Sequence, residues 1–124
     1  MKTISRPLVA LMLLIWLSFP AQAQNPAVRM KAGPPIELIT YTLQNLSAAA
    51  IFVSTVELRI FDQGTCKQLC VSVSQVNQSI GSCKTLERQI RCSAPPPPAP
   101  KGYIYNLRVK RSGVLLSECW LYVP

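Results

Sequence analysis

The stretch Phe52-Val53-Ser54-Thr55-Val56-Glu57-Leu58-Arg59-Ile60-Phe61 decides the fold class. Val56, Leu58 and Ile60 recur at every second position, with Thr55, Glu57 and Arg59 between them. Successive side chains of an extended chain point to opposite faces, so this run describes a strand with one dry and one wet face. Asp62-Gln63-Gly64 follows and supplies a turn with a residue that tolerates positive φ.

The same reading extends outward in both directions. Leu69 to Val76 predicts a strand with Val71 and Val73 opposed to Ser72 and Ser74, and Asn77 to Ser82 predicts a turn around Gly81. A further strand runs from about Thr85 to Cys92, with Leu86, Ile90 and Cys92 on one side. Upstream, Ile36 to Leu43 (IELITYTL) is rich in β-branched and aromatic residues and is bounded by Pro35 and Asn45-Leu46-Ser47. Ala48-Ala49-Ala50 offers at most a helical turn, since β-branched residues follow it. Residues 24–35 carry three prolines and a glycine and read as an extended lead-in. Downstream, Ser93 to Pro100 includes Pro95-Pro96-Pro97-Pro98 and cannot enter a sheet interior, because proline offers no ladder donor. A stiff, exposed polyproline connection is preferred there over a docking ligand for a proline-reading domain. Gly102 to Lys110 and Val114 to Val123 flank Arg111-Ser112-Gly113 and form a β-hairpin.

Six or seven short strands without a convincing helix predict an all-β fold: a small, disulfide-stapled, immunoglobulin-like antiparallel β-sandwich over residues 36–124. Gly102-Tyr103-Ile104-Tyr105-Asn106-Leu107-Arg108-Val109 resembles the penultimate strand of immunoglobulin-like and fibronectin-like domains, where a Tyr caps the preceding corner. The chain departs from antibody domains in having no Trp in the strand from Val53 to Phe61. Nor does a Cys follow Tyr103 or Tyr105 by two positions. A narrower resemblance, over about 35 residues, joins Cys83-x8-Cys92 and Ile104-Tyr105-Asn106-Leu107-Arg108 to the immunoglobulin-like accessory proteins of coronaviruses. The matching N-terminal cysteines and a C-terminal anchor are missing, so this resemblance bears on the fold and not on origin.

The beginning of the chain reads as an export signal. Lys2 and Arg6 precede an apolar run from Pro7 to Phe19, and Ala21-Gln22-Ala23 presents small residues for cleavage. The run is shorter than the roughly 20 residues of a membrane span. Residues 1–23 are therefore expected to leave, giving a secreted or periplasmic chain that does not span a membrane. Loss of Lys2 and Arg6 lowers the formal charge from +8 to +6.

All five cysteines, Cys66, Cys70, Cys83, Cys92 and Cys119, follow the signal. Export favours disulfides over metal, and the spacings match no zinc site. Two bridges and one leftover thiol is the favoured count, with a disulfide-linked dimer open to the leftover thiol. Asn45-Leu46-Ser47 and Asn77-Gln78-Ser79 are glycosylation sequons in predicted turns, usable in a eukaryotic or viral secretory pathway.

Catalysis is not expected. The chain has no His, which removes the commonest general base and the Ser-His and Cys-His nucleophile arrangements. The five carboxylates form no close pair, and no phosphate or calcium loop occurs, so no cofactor or metal is expected. The expected role is an exported binding module that recognises a protein, or an anionic glycan or lipid headgroup, through a sheet edge and loops. Nucleic acid is disfavoured. The alternatives are a subunit of a surface or periplasmic assembly, and an inhibitor or immunity-type protein that blocks an exported enzyme. The candidate surface comprises Arg88, Lys101, Arg108, Lys110 and Arg111, joined by Trp120 and Tyr122 if these aromatics are exposed. Burial of both aromatics under a covered last strand is the slightly preferred reading.

Overall fold

The computed structural model describes residues 24–124. The expected export signal at 1–23 lies outside the described residues. Seven strands are present: β1 (Ala27–Ala32), β2 (Leu38–Gln44), β3 (Ile51–Asp62), β4 (Gln68–Ile80), β5 (Thr85–Arg91), β6 (Tyr103–Arg111) and β7 (Val114–Val123). They form two antiparallel sheets, of order β1-β2-β5 and β4-β3-β6-β7. The expected all-β sandwich is the observed one. No helix among the described residues is long and apolar enough to cross a membrane.

Alternation builds the core. Ile39, Tyr41 and Leu43 of β2 face Val56, Leu58 and Ile60 of β3 and Tyr105, Leu107 and Val109 of β6, all essentially without solvent exposure. Full burial of a Leu or Ile contributes about 1.5–3 kcal/mol, so these three inner strands supply most of the stabilisation.

Three expectations about local structure are corrected. The lead-in at 24–35 contains β1, which pairs with β2 from Ala27↔Gln44 to Ala32↔Ile39. Its prolines lie outside the strand, so the ladder loses no donor. Asn77 to Ile80 continue β4 instead of turning. The break in regularity is a register shift opposite Val53 and Thr55. Asn77 has a φ of 46°, a left-handed conformation that Asn tolerates and that a β-bulge accommodates.

Cysteine pairing is the third correction. One disulfide forms, Cys70–Cys92, and Cys66, Cys83 and Cys119 are free thiols. Cys66 precedes β4 and Cys83 follows it, and the 13 residues of β4 extend about 40 Å. Bridged Cα atoms must lie within about 7 Å. Cys119 is half-buried, on the core side of β7 opposite Leu107. The single bridge joins β4 to the residue after β5, closing the edge where the sheets part. Ser72 Oγ donates to the Arg91 carbonyl at 3.0 Å on the same edge, and Arg88 donates to Gln78. At the other edge β1 lies against β7.

One hydrogen bond and one glycine shape the corner before β6. Tyr103 Oη donates to the Pro97 carbonyl at 3.0 Å, capping the corner before β6. Gly102 has a φ of 101°, and any side chain there would strike the Val123 carbonyl and Pro124. The proline run forms no strand and most of it is exposed.

Candidate functional site

The register of β4-β3-β6-β7 places every second residue on an outer face turned away from the core. One row reads Phe61–Ile104–Tyr122 and the next Val71–Arg59–Asn106–Trp120. A third reads Val73–Glu57–Arg108–Glu118. Trp120 is 50% exposed and Tyr122 61%, with Val71 and Val73 at 45% and 53%. Phe61, Ile104, Trp120 and Tyr122, with Cys66 from the β3–β4 turn, line a shallow apolar groove.

The strip is held in place from below. Phe61 and Trp120 stack with ring centroids 6.3 Å apart. The Arg59 guanidinium lies 5.4 Å from the Phe61 ring centre. Arg59 also donates to Asn106 Oδ1 at 2.8 and 3.2 Å. Asn106 Nδ2 in turn donates to Glu118 Oε1 at 3.0 Å and the Cys119 carbonyl at 3.3 Å. Asn106 is fully buried, and both ends of its amide are satisfied, so it ties β3, β6 and β7 together under the aromatics.

Four of the charges on this face pair within it, while Arg59 is held by Asn106. Arg108 lies 3.9 Å from Glu57 and 3.7 Å from Glu118, and Lys110 lies 3.4 Å from Glu57. These are the ion pairs of the described residues.

The structure brings together four of the seven residues read from sequence as a binding surface. Arg108, Lys110, Trp120 and Tyr122 share the outer face. The aromatics are exposed there, which corrects the preferred reading that they are buried. Arg88 instead has the inward parity of β5, opposite Tyr41, and reaches past the sheet edge to Gln78. Lys101 and Arg111 bracket β6, about 30 Å apart, so a single basic edge does not form. Sequence reasoning missed the platform members Phe61, Ile104, Arg59 and Asn106. Their signal was the outward parity of β3 and β6, legible once the hairpin register is applied.

The two sequons differ. Asn45 is fully buried: its Nδ2 donates to the Ala49 and Ile80 carbonyls at 2.8 Å, and its Oδ1 accepts from the Ser47 amide and hydroxyl. As a glycan acceptor it is corrected to a structural clasp. Asn77 is exposed.

Burial pushes the Cys119 thiol up to about 11, with Glu118 adding to the effect. Burial likewise pushes Tyr105 up to about 12, with smaller contributions from Tyr103 and Glu37. Its hydroxyl donates to the Ile36 carbonyl at 2.8 Å, joining the two sheets. No three His, Cys, Asp or Glu side chains among the described residues converge as metal ligands.

Known protein-family models give no match to the chain. Curated proteins give none either, so the local resemblance to coronavirus accessory proteins gains no support. Among solved structures the chain is similar to part of a β-glucuronidase from glycoside hydrolase family 2, with a TM-score of 0.54 and 18% identity. The match covers 78% of this chain and 11% of the enzyme, so it concerns the sandwich alone. A weaker similarity, TM-score 0.38 and 16% identity, is to the alkylpurine DNA glycosylase AlkC of Pseudomonas fluorescens. It covers 68% of this chain and 24% of that one.

Proposed function

We propose that the protein is an exported, non-enzymatic binding module that recognises another protein through the outer face of β4-β3-β6-β7. The observation that carries this reading is the strip of exposed Trp120 and Tyr122 with half-buried Phe61 and Ile104, beside a belt of internally paired charges. Aromatic anchors beside a polar rim are the composition of protein interfaces, and Glu57 Oε1 and Arg108 Nε here still lack a hydrogen-bond partner among the described residues. An anionic glycan or lipid surface is the weaker match, because Arg108 and Lys110 already have carboxylate partners. The absence of His from the chain supports a binding role over catalysis. The apolar start of the chain supports a secreted or periplasmic location.

A second reading, a subunit of a covalent assembly, draws on the exposed thiols Cys66 and Cys83 at opposite ends of the sandwich. Non-reducing electrophoresis of the exported protein separates the two. A reducible ladder would favour assembly, and a single monomer band the module. The module itself is tested by placing a photoreactive residue at Tyr122 or at Thr42 in exporting cells. Discrete protein adducts are expected from position 122 alone, and adducts from position 42 alone would contradict the assignment.

A further inference from the structure

We infer that the partner of this face is a second copy of the chain, two molecules packing the outer faces of their four-stranded sheets together about a twofold axis. The inference rests on the reading of that face as a recognition surface and names its occupant.

Charge supplies the first argument. With the signal removed the chain carries a formal +6, and Arg29, Lys31, Lys84, Arg91 and Arg111 have no ion-pair partner among the described residues. Two copies meeting through those surfaces would repel. The outer face is nearer to balance: Glu57 and Glu118, two of the five acidic residues, lie there on either side of Arg108, alongside Arg59 and Lys110. Along the row Glu57–Arg108–Glu118 the sign alternates strand by strand. A twofold partner shifted by one strand spacing therefore sets carboxylates against guanidinium, and an interface of this symmetry must be self-complementary in that way.

Area supplies the second. Four strands about 4.8 Å apart and roughly ten residues long present about 600 Å² per copy. Two such faces give about 1,200 Å², the lower bound of a specific interface. Face-to-face sheets pack about 10 Å apart, which leaves room for Trp120, Tyr122, Val71 and Val73 to interdigitate. Leu115, opposite Lys110 on the same face, and Phe52 at the far end of β3 are exposed as well.

The test is sedimentation equilibrium of the exported protein over a wide concentration range. A Cys66→Ser/Cys83→Ser background removes thiol cross-links. The expected result is a reversible monomer–dimer equilibrium. Its dissociation constant should rise at least tenfold in Trp120→Ser/Tyr122→Ser and stay unchanged in Arg29→Ser/Lys31→Ser on the other sheet. A monomer at every concentration overturns the second copy as occupant and leaves the recognition face to a different protein. A dimer that survives Trp120→Ser/Tyr122→Ser and dissociates in Arg29→Ser/Lys31→Ser overturns the assignment of the face itself. Circular dichroism of each variant establishes that the fold is retained.

Discussion

Phe61 on β3 and Trp120 on β7 stack across the intervening strand β6, their ring centroids 6.3 Å apart and their planes 28° from parallel. Between them Asn106 holds Arg59 from one side and Glu118 from the other. The aromatic platform is thus a fixed feature of the sheet, preorganised before any partner arrives. Preorganised anchors lose little conformational entropy on binding.

Replacing Trp120 with Ser should therefore cost little stability and much binding. Aromatic pairs contribute about 0.5–1.5 kcal/mol beyond burial, and half of Trp120 is already in water. Urea unfolding should show a loss of about 1 kcal/mol with an unchanged slope.

The Cys70–Cys92 bridge closes a loop of sequence separation 22. Chain-entropy reasoning gives about 3 kcal/mol for a loop of that size. Cys70→Ser/Cys92→Ser should lose about that much in denaturant unfolding, whereas Cys66→Ser and Cys83→Ser should change stability by less than about 0.5 kcal/mol. Peptide mapping without reductant should recover the 70–92 bridge alone. Recovery of a second intrachain bridge would contradict the structure.

How much of this was legible beforehand depends on locality. The β3 alternation and the turn at Arg111-Ser112-Gly113 report only near neighbours, and β3, β6 and β7 all fall where the pattern predicted. The strand β1 was missed because its proline-rich flanks read as a breaker. Its pairing partner β2 begins only six residues after β1 ends, but Gly33-Pro34-Pro35 in the connection read as the end of an extended lead-in and hid the hairpin. Burial of Asn45 was equally invisible, since one of its carbonyl partners, Ile80, is 35 residues distant. The outward parity of Trp120 was legible, but whether another layer covers that face depends on the whole topology.

Asn45→Ala should be among the most damaging polar substitutions. It leaves the Ala49 and Ile80 carbonyls without their donor, a cost of about 2–3 kcal/mol for buried groups. Thermal unfolding measures it directly. If the chain is produced in a eukaryotic secretory host, intact mass and glycopeptide mapping of the folded product should find a glycan at Asn77 and none at Asn45.

Alkaline pH should unfold the protein. Cys119 and Tyr105 are raised in the folded state to about 11 and about 12, and burial also raises Tyr41. The unfolded chain therefore loses these protons first. The stability they contribute is complete below about pH 8.5, where the unfolded groups are still protonated, and falls as pH rises towards 12. Near-ultraviolet circular dichroism should be flat to about pH 8.5 and then decline. Tyr105→Phe should reduce that decline while losing the bond to the Ile36 carbonyl. At pH 8 a thiol reagent should modify Cys66 and Cys83 rapidly and leave Cys119 protected until unfolding.

Hydroxyl-radical footprinting tests the proposed recognition face most directly, with the dilute purified protein compared against the protein in the periplasm or culture medium proposed for it. Trp120 and Tyr122 should oxidise readily in dilution and at least fivefold more slowly in place. Leu46, exposed at the end of the sandwich, should react equally in both. Equal oxidation of Trp120 and Tyr122 in the two settings would contradict a role for this face in protein recognition.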